Sequence, residues 1–180
     1  NYEYSMVIVF TGDGKGKTTA ALGQMMRLVG QDRKAVMFQF IKGPWISGED
    51  KFLQKYPQLK ERLEIYKGGK GFVGILGDTL PLKVHRQAAE KTLELAKKAI
   101  RSSKWDLIVL DEVNVAVSLK LIRAKAVLDA LKDLPMHRFV ILSGRNAPKS
   151  FIQRADLATE MRELKHPYEK GELALKGVEF

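Results

Sequence analysis

The residues with the clearest chemistry are Gly12, Asp13, Gly14, Lys15, Gly16, Lys17, Thr18 and Thr19. They stand between a short apolar run at 6–10 and a segment with helical periodicity that reaches Gly30. A buried strand, a glycine-rich turn and a helix start form the layout of a phosphate-binding loop. Glycines let the backbone wrap around phosphates so that successive N–H groups point inward. The helix adds unpaired N–H donors and the positive end of its dipole. Lys17 can place an ammonium on phosphate oxygens, and Thr18 a hydroxyl on a bound magnesium ion. The common pattern has a Gly where this chain has Thr11, with Gly12 and Gly14 supplied instead. The loop is therefore expected to be shaped differently from the usual one.

A second signal lies about one hundred residues on. The apolar run 107–110 ends in Asp111-Glu112. An acid at the end of a strand holds magnesium, directly or through water, in phosphate-loop nucleotide binders. If the strand persists, Asp111 and Glu112 point to opposite sides, so either could be the metal-facing acid. A strand-to-helix turn with an N-terminal cap is the plainer alternative. The spacing after Gly-Lys-Thr favours the metal site.

These two signals need a parallel sheet to bring them together. The runs 5–10, 34–40, 63–66, 105–110 and 137–142 read as strands, and apolar character throughout suits strands covered on both faces. Helices are expected at 17–29, 48–56, 80–101 and near 123–132, with a further one opened by Pro148. Ala21, Leu22, Met25, Met26 and Val29 recur at helical spacing and are expected to face the sheet, with Gly30 as a stop signal. Ala89, Leu93, Ala96 and Ile100 make the buried stripe of the longest helix, supported by Glu94 and Lys98 one turn apart. Ala124, Val127, Leu128 and Leu131 do the same for the next one. Ligands lie beyond the carboxyl ends of the strands in such sheets. Gln39, Lys42 and Trp45 fall at one such end, though Lys42 could be a surface lysine and Trp45 a loop residue folded over the core. Arg145 falls at another end and can reach a phosphate or a carboxylate. The glycine-rich stretch 67–78 reads as a lid able to cover a large flat substrate, or as a surface linker.

Composition narrows the classes. A chain of 180 residues, 45% hydrophobic and 29% charged, is expected to form one domain, 1–180. It has no cysteine, which excludes disulfides, thiolate metal sites and a cysteine nucleophile. His166 stands alone, and no Ser/His/Asp set or metal-binding histidine pair is visible. No apolar run approaches a membrane span, so a cytoplasmic protein with no membrane partner is expected. The formal net charge of +10 is spread along the chain. It fits an anionic small-molecule pair or a lysine-rich solvated surface better than nucleic acid.

Several segments together resemble one family. Residues 9–21, 39–43, 109–112 and 143–148, followed by the tail around 163–166 and 176–179, are very similar in type and order to the bacterial ATP:corrinoid adenosyltransferases of the CobA/BtuR/CobO type. Thr11 in place of the first glycine is also typical of them. The resemblance implies an α/β fold, a mostly parallel sheet flanked by helices in the RecA-like phosphate-loop class. It implies a reaction in which the cobalt(I) of a reduced corrinoid attacks the 5′ carbon of ATP and triphosphate leaves, the nucleotide lying reversed in the loop. Lys17 and Lys15 would stabilise the leaving group, and Thr18 with Glu112 or Asp111 would hold Mg2+. Residues 12–19 would bind the nucleotide, with Gln39, Lys42 and Arg145 as neighbours. Phe72 would sit against the lower face of the corrin, but Gly74 stands where some members have a second aromatic residue. A flavoprotein reductant and a homodimer are also implied. Some members carry a covering segment ahead of the first strand, where this sequence has only residues 1–4. The alternatives are a RecA-like ATPase or nucleotide kinase, and a nucleic-acid-binding module switched by ATP.

Overall fold

In a computed structural model, residues 4–75, 77–166 and 176–178 are described. Six parallel strands form one sheet: β1 (Met6–Thr11), β2 (Ala35–Gln39), β3 (Leu63–Lys67), β4 (Leu107–Asp111), β5 (Phe139–Ser143) and β6 (Leu157–Glu160). Their order is β3-β2-β4-β5-β1-β6. β5 thus separates the strand that leads into the glycine-rich loop from the strand that ends in Asp111, the RecA-like arrangement. All strands run the same way, so every carboxyl end opens on one edge of the sheet.

The helices are α1 (Lys17–Val29), α2 (Gly48–Lys55), α3 (Leu82–Arg101), α4 (Val113–Ser118), α5 (Ala124–Ala130) and α6 (Lys149–Arg154). They divide the core in two. Strand alternation sends Val36, Phe38, Ile108, Leu110, Val140 and Leu142 to one face, where α3 to α6 supply Leu93, Ile100, Val127 and Phe151. Ala35, Met37, Leu107, Val109 and Ile141 point to the other face and meet Ala21, Met25 and Leu28 of α1. The fully buried strands explain why the sequence shows apolar runs rather than alternation.

Two expectations are corrected. Met26 does not face the sheet; it is 71% exposed, and Leu28 takes the buried place. Steps of four and three residues from Ala21 reach Met25 and Leu28, and Met26 lies a further step of about 100° round the helix from Met25. Glu94 pairs with Lys97 rather than Lys98, at 2.7 Å. Gly30 does stop α1 as expected, in a right-handed conformation, and the left-handed residue of that turn is Asp32, with φ 58°.

β6 was not expected. Its Leu-Ala-Thr-Glu sequence is exposed throughout and carries no buried pattern to read. Backbone pairing with β1 and the Asp156 carboxylate hold it instead. That carboxylate accepts the Val7 N–H at 2.7 Å while the Asp156 N–H donates to the Val7 carbonyl at 2.8 Å. The expected strands and helices otherwise occur with ends shifted by no more than about two residues, as at the late starts of α3, β4 and β5.

The two neighbouring methionines of α1 give a direct check on this packing. Met25→Ala removes a fully buried side chain and should cost about 2–5 kcal/mol in a urea unfolding curve. Met26→Ala should stay within about 0.5 kcal/mol.

Candidate functional site

Asp111 ends the central strand β4 with its side chain wholly buried. Its carboxylate accepts the Ser143 hydroxyl at 2.7 Å, the Thr18 hydroxyl at 2.9 Å and the Gln39 side-chain amide at 3.5 Å. Those donors come from the end of β5, the first turn of α1 and the end of β2. Burial pushes the Asp111 carboxyl above its ordinary pKa, and the hydrogen bonds from Ser143 and Thr18 pull it back.

Glu112 departs from the strand. Its φ of 62° is left-handed, so the chain turns sharply into α4 and the simple opposite-side geometry of a continued strand does not hold. Its N–H donates to the Ser143 hydroxyl at 3.1 Å, which links the two acids through one serine. Burial first, and the Asp111 charge second, raise the Glu112 pKa to about 7; Lys17 and Arg145 oppose the shift.

Lys17 begins α1 and is only 7% exposed. Its ammonium donates to the Gly14 carbonyl at 2.6 Å, inside its own loop. Burial holds its pKa below the ordinary lysine value, with the Glu112 charge working the other way. Asp13, Lys15 and Thr19 lie exposed along the outside of the loop. Arg145, on the turn after β5, donates to the Asp13 carbonyl at 3.2 Å and so joins the loop as expected. The Thr11 hydroxyl accepts the Ala147 N–H at 3.2 Å. The residue that breaks the common loop pattern thus ties the loop to the same turn.

One expectation about the loop changes. Its N–H groups do not all point inward, because the Gly14 N–H donates to the Met161 carbonyl at 2.7 Å. The Met161 N–H in turn donates to the Thr11 carbonyl at 2.8 Å, so the segment after β6 continues as a strap against the loop. A Cβ on Gly12 would lie 2.3 Å from the Met161 carbonyl oxygen, and one on Gly14 2.7 Å from it. These glycines therefore admit the strap as well as a ligand. Nothing in the sequence of 161–163 signals this role. Asn114 was also missed: fully buried, it donates to the Gly144 carbonyl at 2.8 Å and closes β5 onto α4. Its one sequence signal is a lone amide in an apolar run.

Gln39 is wholly buried, and with its amide nitrogen given to Asp111 its oxygen is left without a partner. Lys42 pairs with Glu49 at 2.6 Å. Phe72 is joined to the site less directly. The Gly68 and Gly69 N–H groups donate to the Gln39 carbonyl, and the Gly71 N–H to the Ile41 carbonyl, so the loop after β3 lies along the segment after β2. Phe72 there meets Trp45, ring centroids 6.2 Å apart.

The oxygen donors around Thr18 suit a hard cation. A hydroxyl and a carboxylate meet at 2.9 Å, with Glu112 next in the chain. Among the described residues no three His, Cys, Asp or Glu side chains gather to make a protein-only metal cage. That combination fits Mg2+, which takes few protein ligands and completes its shell with water and phosphate.

A buried acid of raised pKa makes stability depend on pH. Unfolded Glu112 loses its proton near the ordinary value of 4.5 and folded Glu112 near 7, so the folded state binds more protons between those values. Stability of the ligand-free protein should fall as pH rises through that window and level off above it. Glu112→Gln should flatten this part of the profile and stabilise the protein at pH 8 by on the order of 1–3 kcal/mol, read from urea unfolding at pH 5 and 8.

Comparison with known proteins agrees with this geometry. The pattern of the family described as ATP:corrinoid adenosyltransferase BtuR/CobO/CobP matches residues 3–180. A corrinoid adenosyltransferase from a Sinorhizobium species is 37% identical over 179 residues, covering 99% of this chain and 81% of that one. The corrinoid adenosyltransferase of Escherichia coli K12 is 33% identical over 178 residues, covering 99% of this chain and 87% of that protein. Corrinoid adenosyltransferase CobA of Salmonella typhimurium LT2 is 32% identical with the same coverages. The family match over residues 3–180, with relatives 32–37% identical along 99% of the chain, shows that this chain belongs to the ATP:corrinoid adenosyltransferase family.

Proposed function

We propose that this adenosyltransferase holds the triphosphate of ATP in the loop of residues 12–19 and presents C5′ to the cobalt(I) of a reduced corrinoid. The observation that carries the reading is the 2.9 Å contact between Thr18 and Asp111, which puts the hydroxyl and the acid of a nucleotide site side by side at the mouth of the loop. Cobalt(I) gives an electron pair to C5′, a cobalt–carbon bond forms, the C5′–O bond breaks, and its electrons leave with triphosphate. Cobalt(I) needs no proton removed to act as a nucleophile. That is consistent with a sequence that holds no cysteine nucleophile.

The protein's work is then positioning and charge stabilisation. Lys17 exchanges the Gly14 carbonyl for a phosphate oxygen, with Lys15, Arg145 and the loop N–H groups at the outer face. Thr18 and Asp111 or Glu112 would hold Mg2+. When bound, the ion supplies positive charge to the departing triphosphate.

We assign a flavoprotein as the electron donor, a homodimer as the assembly, one domain over 1–180 and the cytoplasm as the compartment. The first two rest on the sequence resemblance. No helix among the described residues is long and apolar enough to cross a membrane, in keeping with the last. Glu112 gives the ATPase alternative its one structural argument, since an acid of pKa about 7 beside the loop could activate water.

Mixing the protein with ATP, Mg2+ and chemically reduced cobalamin should produce adenosylcobalamin by absorbance and triphosphate by chromatography. Release of inorganic phosphate without a new cobalt–carbon bond would establish the ATPase instead. Lys17→Ala should lower kcat/KM by about 10²–10³; an unchanged value removes Lys17 from the mechanism.

A further inference from the structure

Two aromatic rings stand exposed on the edge of the sheet that carries the phosphate loop. Trp45 lies on the segment after β2 and is 61% exposed; Phe72 lies on the loop after β3 and is 48% exposed. Their ring planes are tilted by 32° with centroids 6.2 Å apart. Ile46 and Ile75, each more than half exposed, stand on the same two loops. Large apolar side chains gathered at a sheet's ligand-binding edge mark a surface that something covers.

The rings are exposed yet held. A Cβ on Gly71 would come 2.6 Å from Trp45 Cη2, and one on Gly43 would come 2.9 Å from Cζ3. The indole therefore lies in a slot that only two glycines leave open. The Lys67 ammonium, at the end of β3, donates to the Trp45 carbonyl and to the Asp50 carboxylate. Asp50 also accepts the Ser47 N–H and hydroxyl, each at 2.7 Å, which fixes the start of α2. The far end of the Phe72 loop is anchored in the same way. Asp78 accepts the Gly74 N–H at 2.8 Å and the Leu80 N–H at 3.0 Å, and meets His85 Nε2 at 2.9 Å. Anchored backbone and ion pairs hold these hydrophobic rings in water, and such pre-ordering lowers the entropy lost when a ligand arrives.

We infer that Trp45 contacts the corrin ring directly, forming with Phe72 a two-ring apolar platform for its flat face. A purine would cover one of these rings, whereas a macrocycle spans both. The inference rests on the adenosyltransferase reading above, since it takes the corrinoid as the occupant. Gly43, Gly71 and the Lys67–Asp50 pair position the indole.

Steady-state kinetics with wild type, Trp45→Ala and Trp45→Phe test it, each substrate varied in turn, with equilibrium titration of cob(II)alamin onto the ATP complex. Trp45→Ala should raise the corrinoid KM and the cob(II)alamin dissociation constant by about five- to a hundred-fold, the range for loss of one stacked ring. The ATP KM should stay within two-fold, and Trp45→Phe should recover most of the loss. An active wild type with an unchanged corrinoid KM in Trp45→Ala overturns the Trp45 contact and leaves the enzyme's function standing. An equal rise in both KM values also overturns it, since that would mark a general loosening of the edge. A rise in the ATP KM alone would reassign the platform to the nucleobase. A wild type that forms no cobalt–carbon bond overturns the parent reading and this inference together.

Discussion

The structure depends on the fully buried carboxyl group of Asp111. A carboxylate without access to water is costly unless hydrogen-bonded donors replace its hydration. Asp111 is in that position at the end of β4, and its donors are Ser143, Thr18 and Gln39. Satisfying this one side chain draws the carboxyl ends of β2 and β5 and the first turn of α1 to a common point. Three loops leave from that point: the turn that carries Arg145, the glycine-rich loop, and the segment that carries Lys42 and Trp45. A single electrostatic requirement therefore sets where the nucleotide-binding and aromatic parts of the edge lie relative to one another.

The glycine-rich loop meets its own requirement in a related way. Without phosphate it contains an ammonium that needs acceptors and N–H groups that need partners. Lys17 turns to the Gly14 carbonyl, and the Gly14 N–H to Met161. Under the proposed function a phosphate oxygen would offer Lys17 a charged acceptor in place of the neutral Gly14 carbonyl, a stronger hydrogen bond than the one it replaces. The strap formed by Met161 is a different matter. It is in register with β1 through β6 and holds the loop's first half to the sheet by backbone bonds alone. The two glycines are as much a consequence of that strap as of the anion.

Much of this was legible in the sequence, for physical reasons. Phosphate binding needs particular residues in contiguous order, so residues 12–19 show themselves. Asp111 shows itself because a carboxylate that closes an apolar run is costly to bury unless donors at the sheet edge meet it. What was hidden depends on partners distant in the chain. The buried helix face was misjudged at Met26 because a methionine suits core and surface alike, and only packing against β4 and β5 decides. β6 was invisible because its exposed residues carry no alternation and it is held through main-chain atoms. The turn at Glu112 was obscured because the left-handed φ there belongs to a residue type that rarely adopts it. The link between Phe72 and the rest runs through Gly69, Gln39 and Asp111 in succession. No pattern of spacing reports a chain of contacts like that.

The division of labour on this edge follows from the chemistry of the two substrates. A triphosphate is recognised by charge, so under the proposed function its half of the site would use glycine backbone, Lys17 and Arg145. A corrin face offers area rather than charge, so its half must offer rings. Rings exposed to water cannot be held by burial. They are held here from behind, by Lys67 on the Trp45 carbonyl and by Asp78 at the far end of the Phe72 loop. Catalysis by positioning demands this stiffness, because an attack along the cobalt–C5′ line fails if either partner drifts by an ångström or so. The ion pairs behind the aromatic loops thus serve the same end as the hydrogen bonds to Asp111. Under the proposed function one set would hold the electrophile and the other the nucleophile, from Asp111 at the end of β4 and Lys67 at the end of β3.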